Sequence, residues 1–350
     1  MLWRKTLLLV GIGIAMVFNC LVFPPTVSAA DYEPKVAAHR GASAYLPEHT
    51  LEAKTMAYAM GVDFIEQDVV STSDNVLVVL HDHTLETTTD VASKFPGRNR
   101  QDGSYYAIDF TLDEIKSLVV TERFDPKTGN AVFGSRFPVS FNIDFRVPTL
   151  EEEILLVQGL NKSTGRNVGI YVEVKEPAFH EKEGKAIMEA TVNMLAKYGY
   201  NEKNANAILQ IFDFDAVKKS RALGWKGDLA MLVDMDGQML TDDKDVHKWL
   251  LTEEGVKEAA KYATIYAPWF SHLAEPTDDG KSYRRAPCIE WARDAGMKLH
   301  TWTYRADSLP KGFSSEKEVF DEAFKEIKVD GMFSDFPDHV LEYLKENGLR

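Results

Sequence analysis

Cysteine is almost missing from this sequence: Cys20 and Cys288 are the only two in 350 residues. Basic residues are outnumbered as well, with 40 Lys and Arg against 54 Asp and Glu and a formal charge of −14. An acidic chain does not attract nucleic acid or anionic lipid through its general field. An anionic substrate would have to be met by positive charge concentrated locally, by a metal ion or by a few Lys and Arg. There is no internal repeat, low-complexity tract or Pro/Ser-rich linker. Nor is there an HExxH, a Walker loop or a GxSxG, so the zinc-protease, P-loop and serine-hydrolase arrangements are excluded. Asp234-Met235-Asp236-Gly237 begins like a calcium loop, but its glycine comes too early for an EF-hand.

What is present begins with a leader. Arg4 and Lys5 precede an almost unbroken apolar run from Leu7 to Phe18, and Val27-Ser28-Ala29-Ala30 supplies small residues just before Asp31. That layout predicts a secretory signal peptide over residues 1–30, cleaved after Ala29 or Ala30. An uncleaved membrane anchor is the competing reading, since the run to Phe23 is borderline in length. Phe18 and Asn19 argue against lipidation of Cys20. Losing the leader removes two basic residues and no acid, which takes the charge from −14 to −16. It also leaves Cys288 alone, so no intrachain disulfide is expected and core burial must supply the stability. The expected location is secreted or periplasmic, without stable membrane insertion.

Beyond the leader, strand-like apolar segments alternate with amphipathic stretches of helical character. The strand-like segments are Val36–His39, Val62–Val70, Val76–His81, Val168–Val174, Ala207–Phe212, Leu229–Val233, Thr264–Ala267, Lys298–Thr303 and Gly331–Ser334. Leu51–Tyr58, Leu150–Gln158, Lys185–Tyr198, Asp215–Leu223 and Glu316–Ile327 are among the helical ones. Alternation of this kind predicts a parallel sheet. Nine strands are one too many for a closed eight-stranded barrel. The second and third, however, are joined only by a short turn around Ser73-Asp74-Asn75. Such a loop joins antiparallel strands, whereas a parallel crossover needs about a dozen residues or more. Val76–His81 is therefore read as a hairpin partner at the rim. The remaining eight predict an α/β fold, a TIM (β/α)8 barrel, as one domain over residues 31–350. From Thr84 to Pro148 the chain is rich in Gly, Asp, Asn and Pro, which predicts a small inserted subdomain at the mouth, at about 84–148.

Barrels of this class keep their active sites at the C-terminal ends of the strands, so polar residues that close an apolar run deserve inspection. Five ends carry them: His39-Arg40-Gly41 with Pro47-Glu48 after it, Glu66-Gln67-Asp68, His81-Asp82, Glu173-Val174-Lys175, and Gln210 beside Phe212. Residues two apart on a strand share a face, which pairs Glu66 with Asp68 and Glu173 with Lys175. Inside a barrel, converging carboxylates need a compensating cation. Oxygen ligands without a Cys or His cluster suit Ca²⁺ or Mg²⁺, and outside a cell Ca²⁺ is the expected ion. The bland alternative pairs these acids with Arg40 and Lys175 as structural salt bridges. His39 and His81 are the groups with acid–base range at two of these ends, and they suggest an acid and a base on opposite sides of a reacting phosphorus. Arg40 and Lys175 would donate to the phosphate oxygens. Phe212, Trp302 and Phe336 are expected to wall the pocket, with His300 a candidate for the same role. His83, His180, His247, His272 and His339 are left as surface or structural residues.

Taken together, these residues closely resemble the glycerophosphodiester phosphodiesterase family. The resemblance is carried by Ala38-His39-Arg40-Gly41, Leu46-Pro47-Glu48, Glu66-Gln67-Asp68-Val69, Val78-Val79-Leu80-His81-Asp82, Glu173-Val174-Lys175, Trp302-Thr303 and Asp330-Gly331-Met332-Phe333-Ser334-Asp335-Phe336-Pro337. Asp144-Phe145-Arg146-Val147-Pro148-Thr149-Leu150-Glu151-Glu152-Glu153-Ile154, followed by Gly159-Leu160-Asn161, is similar to the exported bacterial GlpQ-like branch. The resemblance implies metal-dependent hydrolysis of glycerophosphodiesters to sn-glycerol 3-phosphate and an alcohol. It implies Ca²⁺ held by Glu66, Asp68 and Glu173, acid–base catalysis by His39 and His81, and phosphate binding by Arg40 and Lys175. Gln210, Phe212 and Trp302 complete the expected substrate contacts. The implied partners are small-molecule diesters and not nucleic acid, with an oligomer left open. Two departures stand out: His49 follows the Pro-Glu pair where Asn is usual, and Ser334 replaces the usual Thr. Teichoic acid or a lipid as substrate, or a secreted binding protein built on the same barrel, are the alternatives.

Overall fold

The computed structural model describes residues 32–234, 244–277 and 282–350. The leader at 1–30, and all but Asp234 of the calcium-loop-like stretch, lie outside the described residues. In chain order the described strands are β1 (Lys35–Ala38), β2 (Phe64–Ser71), β3 (Leu77–Val79), β4 (Gly169–Val174), β5 (Ala207–Ile211) and β6 (Asp228–Val233). They continue with β7 (Ile265–Pro268), β8 (Ala274–Pro276), β9 (Tyr283–Arg285), β10 (Lys298–Tyr304) and β11 (Gly331–Ser334).

Eight of these run parallel in the order β1-β11-β10-β7-β6-β5-β4-β2. The ring closes because β1 pairs on one side with β11, Val36 opposite Met332, and on the other with β2, Ala37 opposite Phe64. The expected TIM barrel is what forms. β3 pairs antiparallel with β2, Val69 opposite Val79, so the short turn makes a rim hairpin as its length required. A second small ribbon, β8 with β9, has no counterpart in the sequence reading; three-residue strands are too short to show a period.

Helix ends follow local chemistry. Leu51–Met60 begins where the Thr50 hydroxyl accepts from the Ala53 N–H and stops at Gly61, whose φ of 97° ends the helix. Leu150–Thr164 opens with a capping box between Thr149 and Glu152. The helix expected over 316–327 departs from expectation: it is α-helical over Glu316–Phe320 and widens to π-helical turns over Asp321–Ile327. Among the described residues no helix is long and apolar enough to cross a membrane.

Three apolar clusters organise the packing. Ile65, Val172, Leu209, Met231, Tyr266 and Leu299 face outward from the strands to meet the helices. Ala37, Tyr171, Ile208, Ala230, Ile265 and Phe333 fill the barrel interior. The third joins Val78 and Leu80 to Leu85, Phe110, Ile115, Leu118 and Phe145, so the stretch following the rim hairpin has a core of its own. Burying a side chain such as Phe110 contributes about 1.5–3 kcal/mol.

Candidate active site

Alternation along each strand decides what the barrel interior presents. On β2 Phe64 packs against the interior cluster, and its face continues with Glu66 and Asp68. On β4 Tyr171 is followed by Glu173, with Lys175 just past the strand end. On β5 Ile208 is followed by Gln210 and then Phe212. Register then sets Asp68 opposite Glu173, and Glu173 opposite Gln210. Apolar residues thus occupy the inner part of the barrel and polar ones its C-terminal mouth.

Glu66, Asp68 and Glu173 are 2 %, 0 % and 6 % exposed, and each offers an oxygen within 4.8 Å of the others. Burial, then Asp68 and Glu173, push the Glu66 carboxyl well above the usual range. Burial raises Glu173 to about 8, with Lys175 opposing and Asp68 adding to the rise. A cation among them would reverse this crowding. Asp68 Oδ1 is buried without a hydrogen-bond partner, an orphaned acceptor of the kind a metal ion satisfies. The donors are all oxygen, as hard divalent cations require. These three residues therefore fit a metal ion.

Around the cluster the chain supplies donors. The Arg40 backbone N–H donates to Glu66 Oε2 at 2.6 Å, and Gln210 Nε2 to Glu66 Oε1 at 3.1 Å. Arg40 reaches this geometry at a left-handed φ of 58°. The next residue must be glycine: Gly41 sits at φ 89°, and a Cβ there would lie 2.8 Å from the Ala53 carbonyl carbon. The Arg40 guanidinium meets Glu48 at 2.9 Å through one terminal nitrogen, while its Nε stands 3.8 Å from Asp68 Oδ2 and makes no hydrogen bond. Lys175 lies 2.6 Å from Glu173 Oε1 and 5.8 Å from the centre of the Phe212 ring.

Both histidines are oriented by carboxylates. His39 Nδ1 is 2.5 Å from Asp335 Oδ1, and His81 Nδ1 is 2.6 Å from Asp82 Oδ1. Burial alone would raise Asp335, but Arg305, His39 and Arg136 outweigh it and hold the carboxyl well below its usual range. Asp82 is likewise held low, as Arg123 and His81 overcome its desolvation. An ionised carboxylate only accepts, so each Nδ1 carries the proton and each Nε2 is left bare. Burial and Arg40 lower His39 to about 4 despite Asp335. Desolvation, Arg40 and Lys175 lower His81 to about 3 despite Asp82. Two neutral imidazoles with open Nε2 atoms can each take up a proton and return it.

One cleft gathers His39, Arg40, Glu66, His81, Glu173, Gln210, Phe212 and Trp302. Trp269, Thr303, Arg305, Leu232 and Phe333 complete its lining. The Phe212 and Trp302 rings meet edge-on at 5.4 Å, and Trp269 lies alongside Trp302 at 6.5 Å. Two expected wall residues are elsewhere. Phe336 is edge-on to Tyr45 at 5.7 Å beneath the Arg136 guanidinium, and His300 packs against Gly331 and the Tyr171 hydroxyl inside the barrel. Sequence reasoning gave no task to Asp335 or Asp82, although both stand within quoted motifs, and it missed Arg123 and Trp269. Arg123 joins Asp82 Oδ2 to Glu48 Oε1, at 2.6 Å from each, from within an irregular stretch that offers no periodic signal.

The sequence profile of the Glycerophosphoryl diester phosphodiesterase family matches residues 39–339. A glycerophosphodiester phosphodiesterase of Haemophilus influenzae is 40% identical over 326 residues, covering 89% of each chain. A crystal structure from Silicibacter pomeroyi, provisionally named as a glycerophosphoryl diester phosphodiesterase, superposes with a TM-score of 0.66 at 23% identity, covering 91% of this chain and 95% of that one. An Oleispira antarctica phosphodiesterase, solved with the product sn-glycerol-3-phosphate, superposes at 0.59 with 20% identity, covering 91% and 99%. By class the molecule is a TIM-barrel hydrolase of phosphoric diesters. The chain belongs to the glycerophosphoryl diester phosphodiesterase family.

Proposed function

We propose that this enzyme hydrolyses small glycerophosphodiesters to sn-glycerol 3-phosphate and an alcohol, with His39 and His81 as its acid–base pair. The reading is carried by one observation: two carboxylate-oriented histidines line the same cleft as the buried Glu66 and Glu173. The product bound by the Oleispira protein is consistent with this choice of substrate. Ca²⁺ is our preferred ion for Glu66, Asp68 and Glu173, Mg²⁺ the alternative; when bound, it would neutralise charge on the phosphate and bring its oxygens into place. Arg40, whose Nε makes no hydrogen bond, donates to the phosphate, and Lys175 adds positive charge beside it. Phe212 and Trp302 bound the space left for the glycerol and alcohol groups.

The glycerol C2 hydroxyl is the nucleophile we favour, because attack within the substrate gains from proximity, by about 7–11 kcal/mol in well-oriented cases. His39 Nε2 takes that hydroxyl proton while the oxygen bonds to phosphorus. The bond to the departing alcohol breaks, and His81 gives the alcohol its proton. Negative charge on the arriving diester favours the protonated ring that His81 needs. A cyclic glycerol phosphate results, which water opens with the two histidines exchanging roles. Turnover of glycerophosphocholine with release of sn-glycerol 3-phosphate tests the activity. A substrate with hydrogen in place of the C2 hydroxyl tests the route: cleavage at an undiminished rate would mean that water attacks directly.

We place the enzyme outside the cytoplasm, in the exported bacterial branch of the family, with its leader cleaved after Ala29 or Ala30. N-terminal sequencing of protein recovered from that compartment should begin at Ala30 or Asp31, whereas a start at Met1 in the membrane fraction would favour an anchor.

A further inference from the structure

Beside the carboxylate cluster lies a second buried polar group that the proposed reaction does not use. His49 is 2 % exposed, and its Nε2 is 2.7 Å from Asp68 Oδ2. Its other ring nitrogen, Nδ1, is 3.0 Å from Lys54 Nζ. Lys54 lies on the helix Leu51–Met60 and is 0 % exposed. Its Nζ also donates to the Glu66 carbonyl oxygen and stands 3.4 Å from Glu153 Oε2 on the helix Leu150–Thr164. Both of these neighbours are acceptors, which places the nitrogen as a donor, and an ammonium only donates. The nitrogen facing it must therefore accept. A neutral ring that accepts at Nδ1 carries its proton on Nε2, and that N–H points at Asp68 Oδ2. The other oxygen, Oδ1, is the one without a partner.

We infer that Lys54 and His49 are positioning residues for the metal site: Lys54 fixes the Nε2–H tautomer of His49, and His49 in turn holds Asp68 with Oδ1 left for the cation. The same ammonium holds the Glu66 main chain, so one buried lysine steadies two of the three ligand residues. The inference rests on the reading of Glu66, Asp68 and Glu173 as a metal site. Electrostatics alone makes the opposite demand, since deleting a positive charge close to a cation site should tighten cation binding.

Calcium titration of the metal-stripped protein by calorimetry separates the two. Lys54→Met should bind Ca²⁺ about 10- to 100-fold more weakly than the unaltered protein, the usual effect of losing a residue that orients a ligand. Combining it with His49→Asn should weaken binding by less than the product of the single effects, because both cut one relay. If the unaltered protein binds Ca²⁺ and Lys54→Met binds it equally or more tightly, the inference falls while the metal reading stands. If the unaltered protein binds neither Ca²⁺ nor Mg²⁺, the metal reading falls and the inference with it. The ¹⁵N spectrum of the His49 ring in unaltered, metal-free protein is a check that no folding defect can obscure. A proton on Nε2 is expected, and a proton on Nδ1 would overturn the inference whatever the calorimetry gives.

Discussion

His39 and Asp335 are 296 positions apart in the chain and meet at 2.5 Å through Nδ1 and Oδ1. Asp335 is itself gripped by Arg305 Nε and by a terminal nitrogen of Arg136, each at 2.8 Å, and so cannot swing away from the ring. Asp335→Asn preserves the shape but offers an amide that can donate, which would let His39 carry its proton on the wrong nitrogen. The expected outcome is a fall in kcat of about 100-fold or more, with the circular dichroism spectrum unchanged.

Removing either ring should be as damaging. His39→Ala and His81→Ala should each lower kcat by roughly two orders of magnitude or more, the usual worth of a positioned acid or base. Steady-state kinetics on glycerophosphocholine decide it, and near-normal turnover in either variant would return that histidine to a structural role.

Dialysis against EDTA should abolish activity, and Ca²⁺ should restore it. The same ion should raise the melting temperature, because it binds the folded cluster and relieves carboxylates that now crowd one another. At a hundredfold excess over its Kd the stabilisation is about 2.7 kcal/mol. Glu66→Gln should lose both responses; full activity in metal-free protein would refute the metal reading.

His180 gives a prediction about pH that is independent of the cleft. It is 1 % exposed, donates from Nδ1 to the Glu176 carbonyl and accepts from the Ser71 N–H at Nε2, which requires a neutral ring. Burial lowers it to about 4, against an ordinary value of 6.5. As pH falls below 6.5 the unfolded chain takes up this proton first. The group's contribution is therefore complete above pH 6.5 and is lost progressively toward pH 4, by about 3 kcal/mol over the window. In urea denaturation, His180→Gln should be the less stable protein at pH 7 yet show a shallower decline between pH 6.5 and 4.

Much of this was legible in the sequence, for physical reasons that can be named. The period of two on β2 and β4 fixed which carboxylates share a face, and the short turn at Ser73-Asp74-Asn75 allowed only an antiparallel partner. Glu66, Asp68 and Glu173 can thus be grouped from the sequence alone. What escaped were partnerships across the chain. Asp335 lies inside its motif as an ordinary polar residue, and only folding brings it across 296 positions to His39. Asp82 is next to His81, but adjacency alone does not show that its carboxylate turns back to Nδ1. Arg123 sits where no element repeats, yet it ties Asp82 to Glu48. Phe336 was misplaced because it lies just past the end of β11, where alternation no longer tells inside from outside.

The pairing of β1 with β11 also orders events during synthesis. A ribosome releases the first barrel strand early and the last one nearly at the end. In the interval Lys35–Ala38 has a free edge, and His39 has no carboxylate to set its ring, because Asp335 has yet to be made. Closing the sheet and bringing Asp335 to His39 join the same two ends of the chain, through contacts of very large sequence separation, which are slow to form.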